Sequence, residues 1–230
     1  PPVARDLMSG GNAPVAKALQ WCGWNVVAYD WAISAEHDLG DKSLQQKPPG
    51  DASKVDFWMV AMDCSTHSRA RERPIPGHPN PPKPLRDAMH PAGLPSLSAQ
   101  DAERVKKANA LIAFFCTLLT AATNSGAACM LENPLRAWLW ALDKVQKLLE
   151  LAGWDDFDYW ACALGGARAK GQSIRSNVKE LVKIRCQCHH VHSTTEWKPW
   201  WDTAANRWTY PSAAEQEYTA ELAFAIAVAA

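Results

Sequence analysis

Cys64 is the residue of this sequence best placed to act as a nucleophile. It follows the apolar run 55–62 and opens a basic, proline-rich stretch, so its surroundings favour the thiolate, the reactive form of cysteine. A free cysteine is more often a small buried apolar residue, and that prediction suits Cys22, Cys116 and Cys129, which lie in apolar stretches. A structural role also remains an alternative for Cys64.

Two further segments that could bind or act on a ligand also follow predicted strands. Glu132 comes directly after the apolar run 127–131, where a carboxylate is either functional or a favourable charge for a helix that begins near Pro134. Segment 6–11 ends in two glycines, which either let the backbone approach a ligand closely or simply make a turn. Asp30 ends the next predicted strand, where its carboxylate could accept hydrogen bonds from a ribose.

The stretch 69–95 differs in composition from the rest of the chain. It holds eight of the sixteen prolines, which excludes regular secondary structure over most of its length. Long loops inside compact domains are usually functional or disordered. Four arginines of this stretch are predicted to contact nucleic acid: Arg69, Arg71, Arg73 and Arg86.

These candidate residues need a scaffold that brings the ends of separate strands together. The apolar pattern predicts a strand before the glycines and further strands over 24–29, 55–62, 127–131, 157–162 and 173–178. It predicts helices over 13–19, 135–151 and 213–228, and a long helix that begins at the cap Ser98 and continues through Leu119. This alternation predicts an α/β fold with a mostly parallel sheet, helices on both faces, and a single domain over 1–230. Ligands of such sheets bind at the carboxyl ends of the strands. We therefore expect Gly10, Cys64 and Glu132 to surround one cavity.

The composition limits the partners and the compartment. Lys plus Arg and Asp plus Glu both number 24, so a global electrostatic attraction to nucleic acid is absent and binding needs a local patch. Seven scattered cysteines argue against a disulfide framework and favour a reducing, intracellular compartment. No apolar run of the sequence has membrane-spanning length, so no membrane is expected. The chain begins at Pro1 without Met, and we expect it to be part of a larger polyprotein or multidomain protein.

A cluster of possible metal ligands lies at 186–192. Cysteine and histidine are common zinc ligands, so a zinc set is conceivable from Cys186, Cys188, His190 and His192. The Cys-x-Cys spacing is tighter than the common spacing of zinc sites, and alternate residues of a strand point to one face. A structural role without metal is therefore the prediction.

Taken in chain order, these segments resemble the motifs of the DNA cytosine-5 methyltransferase family. The matching segments are the first cofactor motif at 6–10, the second strand at 23–30, the nucleophile motif at 55–68, Leu-Glu-Asn-Pro at 131–134, and an arginine motif at 166–170 followed by Ser176-Asn177. Ser-Arg-Ala-Arg after the nucleophile resembles shortened relatives from retroelements and phages. The resemblance covers roughly residues 6 to 192. It implies a class I S-adenosylmethionine-dependent methyltransferase with a Rossmann-like fold, DNA as its partner and, in a eukaryote, a nuclear location.

The resemblance also implies a role for each site residue. Cys64 attacks carbon 6 of a flipped-out cytosine, Glu132 holds the ring nitrogen N3 and the amino group, and Arg168 is the family arginine near the substrate. Lys170 and Arg175 are alternatives for that arginine. The implied cofactor-binding residues are Asp6, Met8, Ser9, Gly10, Gly11, Asp30, Trp31, Asp38 and Asp63, with Asp41 as an alternative to Asp38.

The sequence departs from the family pattern at several positions. Asp63 stands where the family has proline, and its carboxylate disfavours the thiolate of Cys64. His67 replaces the usual phenylalanine and is expected to be a solvated loop residue, although a cationic His67 could instead offset the effect of Asp63. About forty residues separate the arginine motif from the last helix, so the target-recognition domain is expected to be reduced or absent. A non-catalytic binding or structural module and an RNA cytosine methyltransferase are the alternative functions.

Overall fold

The structure, a computed structural model, describes residues 1–46, 52–73, 75, 82–193, 197–211 and 215–230. The strands are β1 (Val3–Leu7), β2 (Asn25–Tyr29), β3 (Phe57–Ala61), β4 (Ala128–Pro134), β5 (Asp155–Trp160), β6 (Gly171–Ser176), β7 (Trp200–Asp202) and β8 (Arg207–Thr209). The helices are α1 (Pro14–Trp21), α2 (Lys42–Gln46), α3 (Ala99–Asn124), α4 (Asp143–Gln146) and α5 (Ala220–Ala229). Strands β7 and β8 form a separate antiparallel hairpin, which the sequence did not predict.

The other six strands form one sheet in the order β2-β1-β3-β4-β6-β5. Strands β1 to β4 are parallel, and β6 is antiparallel to both of its neighbours. The chain passes from β1 to β2 on one side and then returns to place β3 on the other side of β1. This reversal leaves a crevice at the carboxyl ends of β1 and β3, which is where open α/β sheets bind ligands.

Hydrophobic residues cover both faces of the sheet. On one face, Trp58 and Val60 of β3 pack in a core with α3, and on the other face Phe57 and Met59 pack in a core with α1 and α5. Because alternate residues of a strand point to opposite faces, β3 is buried on both. The structure thus confirms a mixed α/β fold with a mostly parallel sheet and helices on both faces, which is compatible with a Rossmann-like fold.

Helix α3 begins at the predicted cap. Ser98 Oγ accepts a hydrogen bond from Asp101 N at 3.1 Å and donates one to the Asp101 carboxylate at 3.0 Å. By length and composition α3 is long and apolar enough to cross a membrane, which the sequence did not lead us to expect. However, Ile112, Phe115 and Leu119 are buried in the core beside the sheet, and the core helix of a globular domain meets the same criterion.

The prediction of one helix over 135–151 is wrong. Leu142 has an extended backbone, with φ −76° and ψ 130°, and it separates a 3-10 turn at Trp138–Ala141 from the short helix α4. The indole N–H of Trp140 donates to the carbonyl oxygen of Pro134 at 2.8 Å, and this bond holds the segment against the end of β4. A 3-10 turn bonded to the end of β4, followed by the extended Leu142, therefore stands where the apolar periodicity favoured a continuous helix.

The last helix is shorter than predicted, and the proline-rich stretch is irregular as predicted. Helix α5 starts at Ala220 because Thr219 caps it by accepting a hydrogen bond from Leu222 N at 3.2 Å. The predicted start at 213 lies outside the described residues, but 215–219 are described and are not helical. In the described part of 69–95, the only regular element is a 3-10 turn at Arg69–Glu72.

Candidate functional site

A cavity of about 430 Å³ opens at the carboxyl ends of the parallel strands. The loops after β1, β2 and β3 and the strand β4 supply its wall, which includes Gly10, Asp30, Cys64 and Glu132. The residues expected at one sheet edge therefore do surround one cavity. Its position is the crevice created by the reversal of the chain between β1 and β3.

The loop after β1 is tied to the loop after β2 through Asp30. Its Oδ2 accepts a hydrogen bond from Gly10 N at 3.0 Å, and its Oδ1 accepts one from Ala32 N at 2.8 Å. Gly10 has φ +72°, a left-handed conformation that favours glycine, and a Cβ added there would meet no atom within 4 Å. The absence of a side chain at Gly10 therefore leaves the backbone open to the cavity.

Seven of the nine residues predicted to bind a cofactor line this cavity, and two do not. The lining residues are Met8, Ser9, Gly10, Gly11, Asp30, Trp31 and Asp63. Asp6 is buried below the loop, where it accepts a hydrogen bond from Ala16 N at 3.1 Å and holds the start of α1. Burial raises the pKa of Asp6 to about 7. Asp38 is exposed and accepts a hydrogen bond from Gly40 N at 2.8 Å, so neither carboxylate faces the cavity.

Cys64 opens a tight turn directly after β3. Its carbonyl oxygen accepts hydrogen bonds from His67 N at 3.0 Å and from Ser68 N at 2.7 Å. The neighbouring Asp63 carboxylate accepts bonds from the backbone N–H and the hydroxyl of Ser65, at 2.9 and 2.7 Å. Asp63 is therefore bound to its own turn, and Cys64 lies in the cavity wall.

The electrostatic environment of Cys64 favours the thiol at neutral pH. Burial raises the pKa of Cys64 to about 11, with a smaller lowering by the charge of Lys170 and smaller increases from Asp63 and Glu132. The effect expected of Asp63 from the sequence is present, but burial is larger. Any nucleophilic role therefore requires a proton acceptor or an added positive charge when a ligand binds.

Arg86 is buried and binds the turn that begins at Cys64. Its guanidinium donates to Thr66 O at 3.0 Å, to Thr66 Oγ1 at 3.2 Å, to Pro91 O at 2.6 Å and to Asn109 Oδ1 at 2.9 Å. Only 1% of Arg86 is exposed. The prediction that Arg86 contacts nucleic acid is therefore wrong, because its donors are already used within the protein.

His67 is fully buried beside this arginine, so the expectation of a solvated loop residue is wrong. Its Nδ1 lies 3.2 Å from Thr66 Oγ1, and its carbonyl oxygen accepts a hydrogen bond from Trp138 N at 2.9 Å. Burial, assisted by the charge of Arg86, lowers the pKa of His67 to about 3. His67 is consequently neutral and does not offset the charge of Asp63.

Glu132 lines the cavity, and only one of its two carboxylate oxygens is hydrogen-bonded within the described residues. Its Oε2 accepts a hydrogen bond from the Tyr218 hydroxyl at 2.8 Å, whereas its Oε1 is buried and has no hydrogen-bond partner among the described residues. Burial raises the pKa of Glu132, and Lys170 and Tyr218 act in the opposite direction. A buried carboxyl oxygen that lacks a partner is costly unless a ligand completes it.

Lys170, rather than Arg168, supplies the positive charge of the cavity wall. Arg168 Nη1 pairs with Glu215 at 3.0 Å, and Arg168 is not a lining residue. Arg175 is buried and binds Asp156 at 2.8 Å, so it is structural. Of the three candidates for the substrate cation, only Lys170 lines the cavity, with its Nζ donating to Glu215 O at 2.7 Å.

A second cleft of about 550 Å³ meets the first cavity at Cys64. The two share Cys64, Pro134 and Lys170 in their walls. The remaining wall of this second cleft is basic and aromatic, and it includes Arg69, Arg73, Arg136, Trp160 and Trp197. Cys64 therefore faces two spaces of different chemistry.

Of the four arginines predicted to contact nucleic acid, two line this cleft and two do not. Arg69 lies over the ring of Trp138 at 4.8 Å and pairs with Glu72, and Arg73 lies over the ring of Trp197 at 5.8 Å. Both line the second cleft. Arg71 donates to Lys83 O at 3.2 Å and does not line it.

Sequence reasoning missed Tyr218 and Gln172, which also line the first cavity. Tyr218 was placed inside a predicted helix, although the threonine that follows it is the actual cap. Gln172 lies in β6, where its buried Oε1 has no hydrogen-bond partner among the described residues. The one available signal was a polar side chain directly before the predicted strand 173–178.

The structure also changes the set of candidate metal ligands, for which the sequence predicted a structural role without metal. Cys186 Sγ lies 3.9 Å from Trp160 O and does not join the histidines. Cys162 takes its place in a group with Cys188, His190 and His192. Cys162 is 26 residues earlier in the chain than Cys188, so spacing gave no indication of it.

Comparison with known proteins finds no family model, no curated protein and no solved structure that matches this chain. The family resemblance therefore stays a prediction. The features of this chain that bear on function are the two spaces that meet at Cys64 and the groups around them.

Replacing Arg86 tests whether it anchors the Cys64 turn. Arg86→Met leaves the oxygens of Thr66, Pro91 and Asn109 without their donor, and we expect a loss of about 2–4 kcal/mol in the free energy of unfolding. The control Arg69→Met removes an exposed ion pair and should cost less than about 1 kcal/mol. Urea denaturation followed by fluorescence measures both values. Equal losses would contradict the anchoring role.

The charges around Cys64 predict opposite effects on its alkylation. In a Cys22→Ser background, Asp63→Asn removes a charge that raises the pKa of Cys64, so its thiolate fraction at pH 8 should increase and iodoacetamide should react about threefold faster. Lys170→Gln removes the charge that lowers this pKa, so the reaction should slow by a similar factor. The rate in the parent should keep rising as the pH approaches about 11. Mass spectrometry of the Cys64 peptide measures each rate, and a parent rate that levels off near pH 8 would refute the assignment.

Proposed function

We propose that this protein binds S-adenosylmethionine and transfers its methyl group to carbon 5 of a cytosine in DNA, with Cys64 as the covalent nucleophile. The observation that carries the proposal is the place of Cys64 in the wall shared by an acidic cavity and a basic, aromatic cleft. A methyl donor and a nucleotide need two such neighbouring sites. The six-stranded sheet and its crevice are compatible with a class I methyltransferase fold.

The first cavity suits the cofactor in charge and in backbone geometry. Asp30, Asp63 and Glu217 give it an acidic wall, which complements the positive sulfonium and ammonium groups of S-adenosylmethionine. Asp30 still has lone pairs for ribose hydroxyls after its two bonds to backbone N–H groups. The open backbone at Gly10 allows close approach.

The second cleft suits a nucleotide displaced from its stack. Arg69, Arg73 and Arg136 provide cations for phosphates, and Trp160 and Trp197 provide aromatic faces for a base. A base flipped into this cleft arrives at Cys64 and Lys170, beside the cofactor cavity. This local patch supplies the attraction to DNA that the neutral net charge lacks.

The residues of the shared wall divide the chemistry between them. Cys64, as thiolate, forms a bond to carbon 6 of the ring. The unpaired Oε1 of Glu132 binds the ring nitrogen N3. The raised pKa of Glu132 favours its protonated form, which donates a hydrogen bond to N3. Tyr218 orients Glu132 through its other oxygen. Bound S-adenosylmethionine would supply the methyl group for carbon 5, would leave as S-adenosylhomocysteine, and would place a positive charge next to Cys64 before the transfer. Loss of the carbon-5 proton to a base then allows the bond to Cys64 to break.

A second candidate function is a non-catalytic module that binds cofactor and nucleic acid. The pKa of about 11 at Cys64, with Asp63 as its neighbour, favours this candidate because the resting thiol is a poor nucleophile. Arg168 pairs with Glu215 and does not line the cavity, which also favours the non-catalytic module. Binding without transfer is its signature.

Methyl transfer tests the proposed reaction directly. Wild-type protein and the Cys22→Ala control should transfer labelled methyl from S-adenosylmethionine to cytosine-containing duplex DNA. Cys64→Ala should abolish the transfer, and Glu132→Gln should reduce it at least about 100-fold, because it removes the acid at N3. Transfer that survives in Cys64→Ala refutes the covalent role. Cofactor binding without any transfer favours the non-catalytic module, and competition with RNA oligonucleotides identifies an RNA substrate.

The affinity for S-adenosylmethionine tests the different positions of Asp30, which lines the cavity, and Asp38, which does not. Asp30→Asn weakens the link to Gly10 and removes a ribose acceptor, so we expect about tenfold weaker binding of S-adenosylmethionine by calorimetry. Asp38→Asn is the matched control and should bind as wild type does, because Asp38 lies outside the cavity. If Asp38→Asn weakened binding and Asp30→Asn did not, the cofactor would bind at a surface other than this cavity.

A further inference from the structure

A second group of reactive side chains lies outside the cavity and the cleft. Cys162 belongs to a 3-10 turn, Ala161–Leu164, that follows β5, and Cys188, His190 and His192 belong to a later segment. One donor atom of each residue lies within 4.8 Å of the donor atoms of all the others. Neither the cavity nor the cleft includes any of the four.

We propose that Cys162, Cys188, His190 and His192 bind one structural Zn²⁺. Two thiolates and two imidazoles are a common tetrahedral set for zinc, and Zn–S and Zn–N bonds of about 2.3 and 2.0 Å place neighbouring donors about 3.3–3.8 Å apart. Cys188 Sγ lies 3.1 Å from His192 Nε2 and 3.9 Å from His190 Nδ1. The donors are thus close to the spacing of a tetrahedron before any metal is added.

The same geometry excludes the neighbouring residues of similar chemistry. Cys188, His190 and His192 bring their donor atoms together from a segment that is neither helix nor strand. Cys186 lies against Trp160 O, and the exposed His189 is not part of the group. Four protein ligands leave no open position for water or substrate, which is the mark of a structural rather than a catalytic zinc.

Zinc in this position stabilises the loop that carries Lys170. Gly166 N donates to Ala161 O at 2.8 Å, and Ala161 N donates to Lys170 O at 2.9 Å, so the turn with Cys162 is bound to the start of β6. The metal joins this turn to the segment with Cys188, 26 residues further along. Metal binding of this kind does not depend on the methyl-transfer reaction and is tested apart from it.

The test measures zinc uptake by the full chain, purified under reducing conditions and stripped by a chelator. We expect one equivalent of Zn²⁺ to bind and to raise the melting temperature by at least about 5 °C. Cobalt(II) in place of zinc should give the visible absorption of a tetrahedral ion and a thiolate charge-transfer band. Cys162→Ser, Cys188→Ser and His190→Gln should each weaken zinc binding by at least about 100-fold.

Adjacent residues provide matched controls. Cys186→Ser and His189→Gln should retain wild-type uptake, because neither side chain belongs to the donor group. His190 is exposed, so His190→Gln tests a ligand without disturbing the core even if a cysteine variant fails to fold. A reduced chain that takes up no zinc, a disulfide joining Cys162 and Cys188 in the purified protein, or an equal loss in the control variants would each overturn the proposal.

Discussion

Parallel pairing of β1, β3 and β4 is the constraint on which the rest of this structure depends. The register aligns Leu7 with Val60, and Ala61 with Glu132, so the three strands reach the same edge together. The loops that leave β1 and β3 there carry Gly10 and Cys64. A shift by one residue in β3 would exchange its two buried faces, and it would break the packing of Trp58 beside α3 and of Phe57 beside α1 and α5.

Burial then determines the chemistry of the groups at that edge. It is the largest influence on the pKa values of Cys64, Glu132 and Asp6, and in each it favours the neutral form. Lys170 lies where its charge opposes this effect at both Cys64 and Glu132. One lysine therefore influences both groups assigned to the reaction, and the wall it occupies separates the acidic cavity from the basic cleft.

The proline-rich stretch shows how an irregular loop can still hold a nucleophile in place. Arg86 comes 22 residues after Cys64 in the chain, and its guanidinium donates hydrogen bonds both to Thr66 in the Cys64 turn and to Asn109 of α3. The guanidinium supplies several donors in a rigid plane, so a single side chain joins the loop, the turn and the helix. His67 is buried in the same place and is kept neutral.

The sequence by itself determined the alternation of strands and helices, the cap at Ser98 and the positions of Gly10 and Cys64 after strand ends, because these follow from local periodicity and from the edge that parallel strands share. It placed Glu132 directly after a strand, whereas Glu132 lies within β4. It could not distinguish a solvated arginine from a buried one, so Arg86 was assigned to nucleic acid. Tertiary structure alone selected Lys170 over Arg168 and brought Cys162 to Cys188. Those choices depend on contacts between residues far apart in the chain, and such contacts leave no period or spacing in the sequence.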